Sequence, residues 1–122
     1  MIVGIGTDIV EVERIRKACR RPRFLSRVFT ERELALFQSR KENYQVLAGT
    51  FAAKEAVVKA MGTGFRGFAW KDVEILRDEL GKPHVVLHRQ ALETVRAMEG
   101  RKIHISISHT RCYAVAQAIL EG

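Results

Sequence analysis

The sequence has too few cysteines for a disulfide framework or a thiolate metal site. Cys19 and Cys112 are the only two among 122 residues, and such a pair provides neither arrangement. The chain also lacks internal repeats, low-complexity runs and proline- or serine-rich linkers. Its composition, 47% hydrophobic and 29% charged, is typical of a globular protein. We therefore expect one domain over residues 1–122.

Long apolar segments are absent as well. No stretch approaches the roughly 18 consecutive apolar residues of a membrane-spanning helix. The first residues include no basic region of the kind that begins a signal peptide. Together with the scarcity of cysteine, this leads us to expect a cytoplasmic protein without a membrane partner. Walker and GxGxxG motifs and a recognisable Ser-His-Asp order are also missing.

Acidic residues are in deficit. The chain has 21 lysines and arginines against 14 aspartates and glutamates, a formal net charge of +7. Part of the excess gathers near the N-terminus, where Arg14, Lys17 and Arg21 have the i, i+3, i+7 spacing of one helical face. Like charges repel one another unless an acidic partner docks on them. We interpret this face as a docking surface; a nucleic-acid contact surface or a solvated face are the alternatives.

The periodicity of apolar residues predicts an α+β fold with a mainly antiparallel sheet, one long helix and several short ones. We predict strands at 2–10, 72–77, 84–88, 103–107 and 113–120, and helices at 11–20, 30–38, 42–61 and 91–98. Thr30 and Glu33 have the spacing of a capping box. Gly62 is placed to end the long helix.

Asp8 is the first candidate for chemistry. It lies at the predicted end of a strand, on the face that also carries Gly4 and Gly6. Glycines at these positions leave room for a ligand or another backbone to come close. The carboxylate could bind a hard cation, or it could cap the helix that follows.

Glu55 and Lys59 are the second candidate. Four residues apart on the long helix, they lie on one strip with Ala48, Ala52 and Gly62. A carboxylate and an ammonium that emerge from small residues suggest the floor of a cleft. The alternative is a solvent-exposed Glu–Lys pair, which would contribute only a few tenths of a kcal/mol.

Four segments together resemble the holo-acyl-carrier-protein synthase family, the small stand-alone type of 4′-phosphopantetheinyl transferase. They are residues 4–15 (GIGTDIVEVERI), 51–64 (FAAKEAVVKAMGTG), 78–83 (DELGKP) and 105–110 (ISISHT). Each match is short, but the four occur in the family's order and span nearly the whole chain. The resemblance implies the fold of that family and a homotrimer with active sites between subunits.

The resemblance also implies a reaction. Enzymes of this family move 4′-phosphopantetheine from coenzyme A to a serine of apo-acyl carrier protein, release adenosine 3′,5′-bisphosphate and require Mg²⁺; the pathway served is fatty acid biosynthesis. Asp8 and Glu55 match the positions of the family's metal ligands, and Glu55 and Lys59 match its catalytic positions. Either Glu55 or a water on the metal would take the serine proton.

Further positions match the family's contacts with its two substrates. Those that match contacts with coenzyme A are Lys59, Gly62, Pro83, His109 and Thr110. Those that match the surface for the acidic carrier protein are Arg14, Lys17 and Arg21. A surface for an acidic carrier protein explains the excess of positive charge without a nucleic-acid partner.

Thr50 is a departure from the family's pattern. Family members typically have an arginine immediately before the FAAKEA motif, and that arginine is associated with phosphate binding. We therefore expect Thr50→Arg to tighten the binding of coenzyme A. A carrier-protein binder with weak catalysis is a second alternative that this departure suggests.

Overall fold

Three strands from the two ends of the chain form an antiparallel sheet. In this computed structural model, which describes residues 1–122, strand β5 (Tyr113–Glu121) lies between β1 (Ile2–Glu11) and β4 (Lys102–His109). Antiparallel register places Asp8 opposite Ala116, which in turn lies opposite Ile107. One face of this sheet therefore carries Asp8 in the same row as two buried or half-buried apolar residues.

The long helix covers that face of the sheet. α4 (Tyr44–Met61) begins after Asn43, whose side chain accepts a hydrogen bond from the amide of Gln45, and ends at Gly62 with φ of 76°. A left-handed glycine is a common terminator of helices. Gly4 and Gly6 allow β1 to lie directly on α4, because a Cβ on either glycine would be 1.9 Å from the carbonyl oxygen of Ala60 or Ala56.

The other elements surround α4. In chain order they are α1 (Val12–Ala18), α2 (Phe24–Val28), α3 (Glu31–Ser39), β2 (Val73–Arg77), β3 (Pro83–Leu87) and α5 (Arg89–Ala97). β2 and β3 pair as a separate antiparallel hairpin. The predicted capping box is present: Thr30 Oγ1 accepts from the amide of Glu33, and Glu33 Oε1 accepts from the amide of Thr30.

A buried ion pair fixes α4 to its neighbours. Lys54 Nζ lies 2.9 Å from Glu33 Oε1 and also donates to the carbonyls of Trp70 and Val73, at 3.1 and 2.7 Å. The second carboxylate oxygen of Glu33 accepts from the amide of Ile75 at 2.7 Å. Every charged oxygen and the ammonium thus have partners, as buried charges require. The pair therefore fixes α3 and β2 to α4, the helix that carries Glu55.

The sequence-based prediction of an α+β fold with antiparallel pairing is confirmed, with two corrections. The strands form two sheets rather than one, and the short helix α2 was not predicted. The helix predicted at 11–20 ends at Ala18, so Arg21 lies in the turn that follows. None of the helices has both the length and the apolar character needed to cross a membrane.

Candidate active site

Asp8 lies inside β1, on the face turned towards α4. The strand continues to Glu11, so Asp8 does not end it as we expected. Glu11 is the residue that precedes α1, and no side chain caps that helix. The helix-cap interpretation of Asp8 is therefore wrong. The carboxylate of Asp8 is half-buried and caps no helix, so it is available for a different function.

Lys59 pairs with Asp8 rather than with Glu55. Its Nζ donates to Asp8 Oδ1 at 3.1 Å and to the carbonyl of Thr7 at 3.0 Å. The Lys59 side chain is 54% exposed and that of Asp8 15%. The Glu55–Lys59 surface pair that we considered is not formed, and the two acidic side chains come from different elements, β1 and α4.

Burial and the charged groups around Glu55 shift its pKa. Burial and the nearby Asp8 carboxylate raise the pKa of Glu55 above its usual value, whereas Lys59 and Arg14 act in the opposite direction. Two neighbouring carboxylates repel each other, and a cation between them removes that repulsion. Mg²⁺ is typically held by one or two carboxylates and completes its coordination with water and substrate phosphate. The donor set of Asp8 and Glu55 fits such an ion.

The predicted docking surface is divided. Arg14 is exposed, yet it lies near enough to Glu55 to influence its titration. Lys17 and Arg21 are exposed and form no ion pair. Because Arg21 lies beyond the end of α1, the three residues do not share one helical face. In the fold, Arg14 also lies near an acidic residue of α4, Glu55.

Gly62 lies one turn of chain beyond Lys59. Its amide donates to the carbonyls of Val58 and Lys59, and a Cβ at this position would meet nothing within 4 Å. Together with residues 63–66 it lines an open depression. Its left-handed backbone, not a lack of space, is what requires glycine here.

Known proteins identify the family to which this arrangement belongs. The sequence profile of the 4′-phosphopantetheinyl transferase superfamily matches residues 4–116. The chain belongs to this superfamily. It is 54% identical to a holo-[acyl-carrier-protein] synthase from Clostridium perfringens over 127 aligned positions, which cover 100% of this chain and 96% of that one. The sequence-based identification of the family is confirmed.

Solved structures agree. The holo-[acyl-carrier-protein] synthase of Neisseria meningitidis superposes with a TM-score of 0.91 at 34% identity, with full coverage of both chains. A Bacillus anthracis synthase solved with coenzyme A (3′,5′-ADP) gives a TM-score of 0.82 at 38% identity and covers 100% of this chain and 98% of its own. The fold of the transferase family is therefore the fold of this chain.

Thr110 and its neighbour His109, two of the residues expected to contact coenzyme A, lie at the other end of α4. The Thr110 carbonyl accepts from Gln45 Nε2 at 2.9 Å, and Gln45 is ten residues before Glu55, about 15 Å along the helix. His109 ends β4, and Pro83 begins β3 opposite Arg77. No hydrogen bond or ion pair joins Pro83, His109 or Thr110 to the carboxylates, so a single protomer does not bring all the predicted residues together.

Thr50, where transferases of this family typically have arginine, is buried. It is 3% exposed, and its hydroxyl donates to the Val46 carbonyl at 3.1 Å. Lys54, which we considered as a substitute cation, is held in the buried ion pair and cannot reach a substrate. Arg111, the other substitute, is exposed in the turn between β4 and β5.

An aromatic cluster begins one helical turn before Glu55. Phe51, one helical turn before Glu55, stacks on Trp70 with ring centres 5.1 Å apart, and Trp70 lies 4.1 Å from Phe65. The i, i+4 spacing of Phe51 and Glu55 was visible in the sequence. The contacts of Trp70 with Phe51 and Phe65 were not, because Phe65 lies in a loop and Trp70 in a single 3-10 turn, neither of which shows periodicity.

Proposed function

We propose that this protein transfers 4′-phosphopantetheine from coenzyme A to a serine hydroxyl of apo-acyl carrier protein, in the cytoplasm and in the service of fatty acid biosynthesis. The observation that carries the proposal is the convergence of Asp8, Glu55 and Lys59 in a chain of this transferase family. In the reaction, a bond forms between the serine oxygen and the β-phosphorus of coenzyme A. The bond from that phosphorus to adenosine 3′,5′-bisphosphate breaks, and the serine proton passes to Glu55 or to a water molecule.

Each of the three side chains has a distinct task in this proposal. Asp8 and Glu55 would hold Mg²⁺, which when bound neutralises charge on the diphosphate as the leaving group departs. The Lys59 ammonium lies beside the same carboxylates and is sufficiently exposed to meet a phosphate oxygen. Gly62 keeps the chain beyond Lys59 free of a side chain, so that a phosphate can approach.

The assembly that we propose is a homotrimer with active sites between subunits. The face of the three-stranded sheet opposite α4 is uncovered and carries apolar side chains among polar ones: Ile5 is 72% exposed, Ile9 63%, Tyr113 46% and Ile119 40%. Ile5 lies opposite Ile119 across the strands, and neighbouring exposed apolar side chains of this kind are common at interfaces. The division of the predicted site between the two ends of α4 also supports an interfacial site, since a neighbouring subunit could supply His109, Thr110 and Pro83.

The carrier protein would dock beside the carboxylates. Lys17 and Arg21 are exposed, positively charged and without an ion-pair partner. Arg14, on the same helix as Lys17, lies near Glu55, so the positive surface extends to the proposed metal ligands. An acidic partner guided to this surface would bring its serine near the metal ligands.

The experiment that tests the proposed function is a transfer assay. The protein is incubated with apo-acyl carrier protein, coenzyme A and Mg²⁺, and the carrier is weighed by mass spectrometry. The expected result is the mass gain of one phosphopantetheine group, absent for the Asp8→Asn variant. A wild-type protein that binds the carrier without modifying it would instead be the weakly catalytic binder considered above.

A further inference from the structure

A groove with an apolar floor lies between β3, α5 and the start of β4. Its volume is about 620 Å³, which is within the range of small-molecule sites. All three elements contribute to the floor, which consists of Val85, Leu87, Leu92, Val95 and Ile103. Val95 is buried and the other four are half-buried, so folding leaves part of this apolar surface in contact with water.

The charged residues around the floor are all basic. His84, Arg96, Arg101 and Lys102 line the groove, and no aspartate or glutamate does. Arg96 is paired with Glu93 at 3.3 Å. Arg101 and Lys102 are exposed and form no ion pair. The groove thus combines apolar surface with positive charge that no neighbouring acid pairs.

The acids nearest to these cations have other contacts. Glu121 lies opposite Lys102 across the strands, but its Oε1 lies 2.9 Å from Nε2 of His104. That hydrogen bond is the main reason why the pKa of Glu121 is lowered, and Lys102 contributes less. Glu99 lines the adjoining depression at the chain ends instead. Arg101 is therefore the cation with least compensation.

The groove is separate from the proposed active site. Ile103 is four residues before Ile107, which lies in the row of Asp8, about 13 Å away along the strand. His109 is about 20 Å from Ile103 in the same direction. Ile103 pairs with the buried Leu120, so it lies on the α4 side of the sheet. The face that we assign to association between chains is the opposite one.

The size and shape of the groove favour a small amphiphile. Ten residues line it, whereas a protein partner usually covers roughly 20–30 residues on each side. A membrane surface requires apolar side chains that protrude into lipid, but here they form a floor below charged side chains. A ligand that fits must therefore bring its own apolar chain and carry a negative charge at one end.

We propose that this groove binds a fatty-acid anion, with the alkyl chain along the floor and the carboxylate at Arg101 and Lys102. A guanidinium can hold a carboxylate with two parallel N–H donors. The alkyl chain would remove the half-buried apolar side chains from water, which is favourable in proportion to the area covered. The inference goes beyond the proposed function and does not depend on it, because it concerns binding without any transfer step.

The test is a calorimetric titration of the full chain with octanoate, decanoate and laurate, each below its critical micelle concentration. Each methylene that enters the groove should tighten binding by up to about fourfold. Dodecyltrimethylammonium has the chain length of laurate with a cationic head group. It should bind at least about tenfold more weakly than laurate, because its charge repels the rim.

Two variants separate the head group from the chain. Arg101→Gln should weaken laurate by about fivefold, the effect of one exposed charge, and should leave the gain per methylene unchanged. Leu92→Gln should reduce that gain; Leu92 lies outside the hydrophobic core, so the variant should remain folded. Arg20→Gln, at an exposed arginine outside the groove and without an ion pair, is the matched control and should bind laurate as the wild type does.

Several results would overturn the inference. One is an affinity that does not depend on chain length, and another is unchanged laurate binding in folded Arg101→Gln and Leu92→Gln. Competitive displacement of laurate by coenzyme A would make the groove part of the substrate site, which it adjoins at His84, the neighbour of Pro83. Binding to anionic vesicles without binding of monomeric laurate would make this surface a membrane contact. Failure of the proposed function is distinct, since a protein without transfer activity can still bind laurate.

Discussion

The contact between Gly6 and α4 allows a prediction that links packing to the proposed metal site. A Cβ on Gly6 would lie 1.9 Å from the Ala56 carbonyl oxygen, whereas such contacts essentially never fall below 3.0 Å. Gly6→Ala must therefore push β1 from α4 by at least 1.1 Å at this point. The obstacle is backbone on both sides, so no rotamer change relieves it. We expect a loss of about 3 kcal/mol in the free energy of unfolding, the upper part of the usual range for overpacking.

The same displacement should reach Asp8. It lies two residues beyond Gly6 on the same face of β1, so it moves away from Glu55 with the strand. Urea denaturation at fixed protein concentration gives the stability, and calorimetric titration with Mg²⁺ gives the cation affinity; both should fall. Thr7→Ala is the matched control, because Thr7 is exposed on the opposite face of the strand and contacts Lys59 only through its backbone.

Two results would refute this reasoning. A Gly6→Ala protein within about 0.5 kcal/mol of the wild type, the range of an ordinary surface substitution, would mean that β1 does not need this close approach. A clear loss of stability with unchanged Mg²⁺ affinity would mean that the strand position and the carboxylate pair are independent.

Three further predictions concern the site itself. Asp8→Asn and Glu55→Gln should each remove Mg²⁺ binding and most turnover, while the circular dichroism spectrum remains unchanged. In the wild-type protein, Mg²⁺ affinity should fall as the pH drops through the raised pKa of Glu55. This fall should occur at a higher pH than for an ordinary glutamate. Lys17→Glu with Arg21→Glu should raise KM for the carrier protein, leave KM for coenzyme A unchanged and flatten the dependence of kcat/KM on salt; equal weakening of both substrates would contradict a docking role. Thr50→Arg should tighten coenzyme A binding in a calorimetric titration, by about 1.5–3 kcal/mol if the new charge reaches a phosphate. It should also lower the thermal midpoint of unfolding, because the position is buried. An unchanged affinity would mean that no phosphate lies within reach.

Local sequence rules predicted the elements well where one residue or one period decides the structure. The capping box at Thr30 and the glycine at position 62 are such cases, because each is a backbone hydrogen-bonding problem solved within a few residues. The alternation in β4 likewise follows from the two-residue period of a strand. The helix α2 was missed because five residues are too few to show a helical period.

The candidate site was predictable in part. A strand carboxylate and a helix carboxylate were identified, but that they approach each other depends on the passage of β1 over α4, which is a tertiary contact. The alternation in β1 defined two faces without indicating which one would be buried. The face with Gly4 and Gly6 packs against α4, and the face with Ile5 and Ile9 is exposed. The proposed association between chains would bury the apolar side chains that the folding of one chain leaves exposed.

Lys54 and Lys59 show most clearly what tertiary structure adds to a helical pattern. Five residues apart on α4, they differ by about 140° around the helix axis. Lys54 is enclosed with Glu33 and two carbonyls, so removal of its charge would leave a buried carboxylate uncompensated. Lys59 reaches Asp8 from solvent, and because its side chain is 54% exposed, water weakens the pair. In the proposed function, this solvent-accessible ammonium would leave Asp8 for a phosphate once a cation neutralised the carboxylate. The weakly held lysine is therefore suited to meet a substrate, and the strongly held one to keep Glu55 in position.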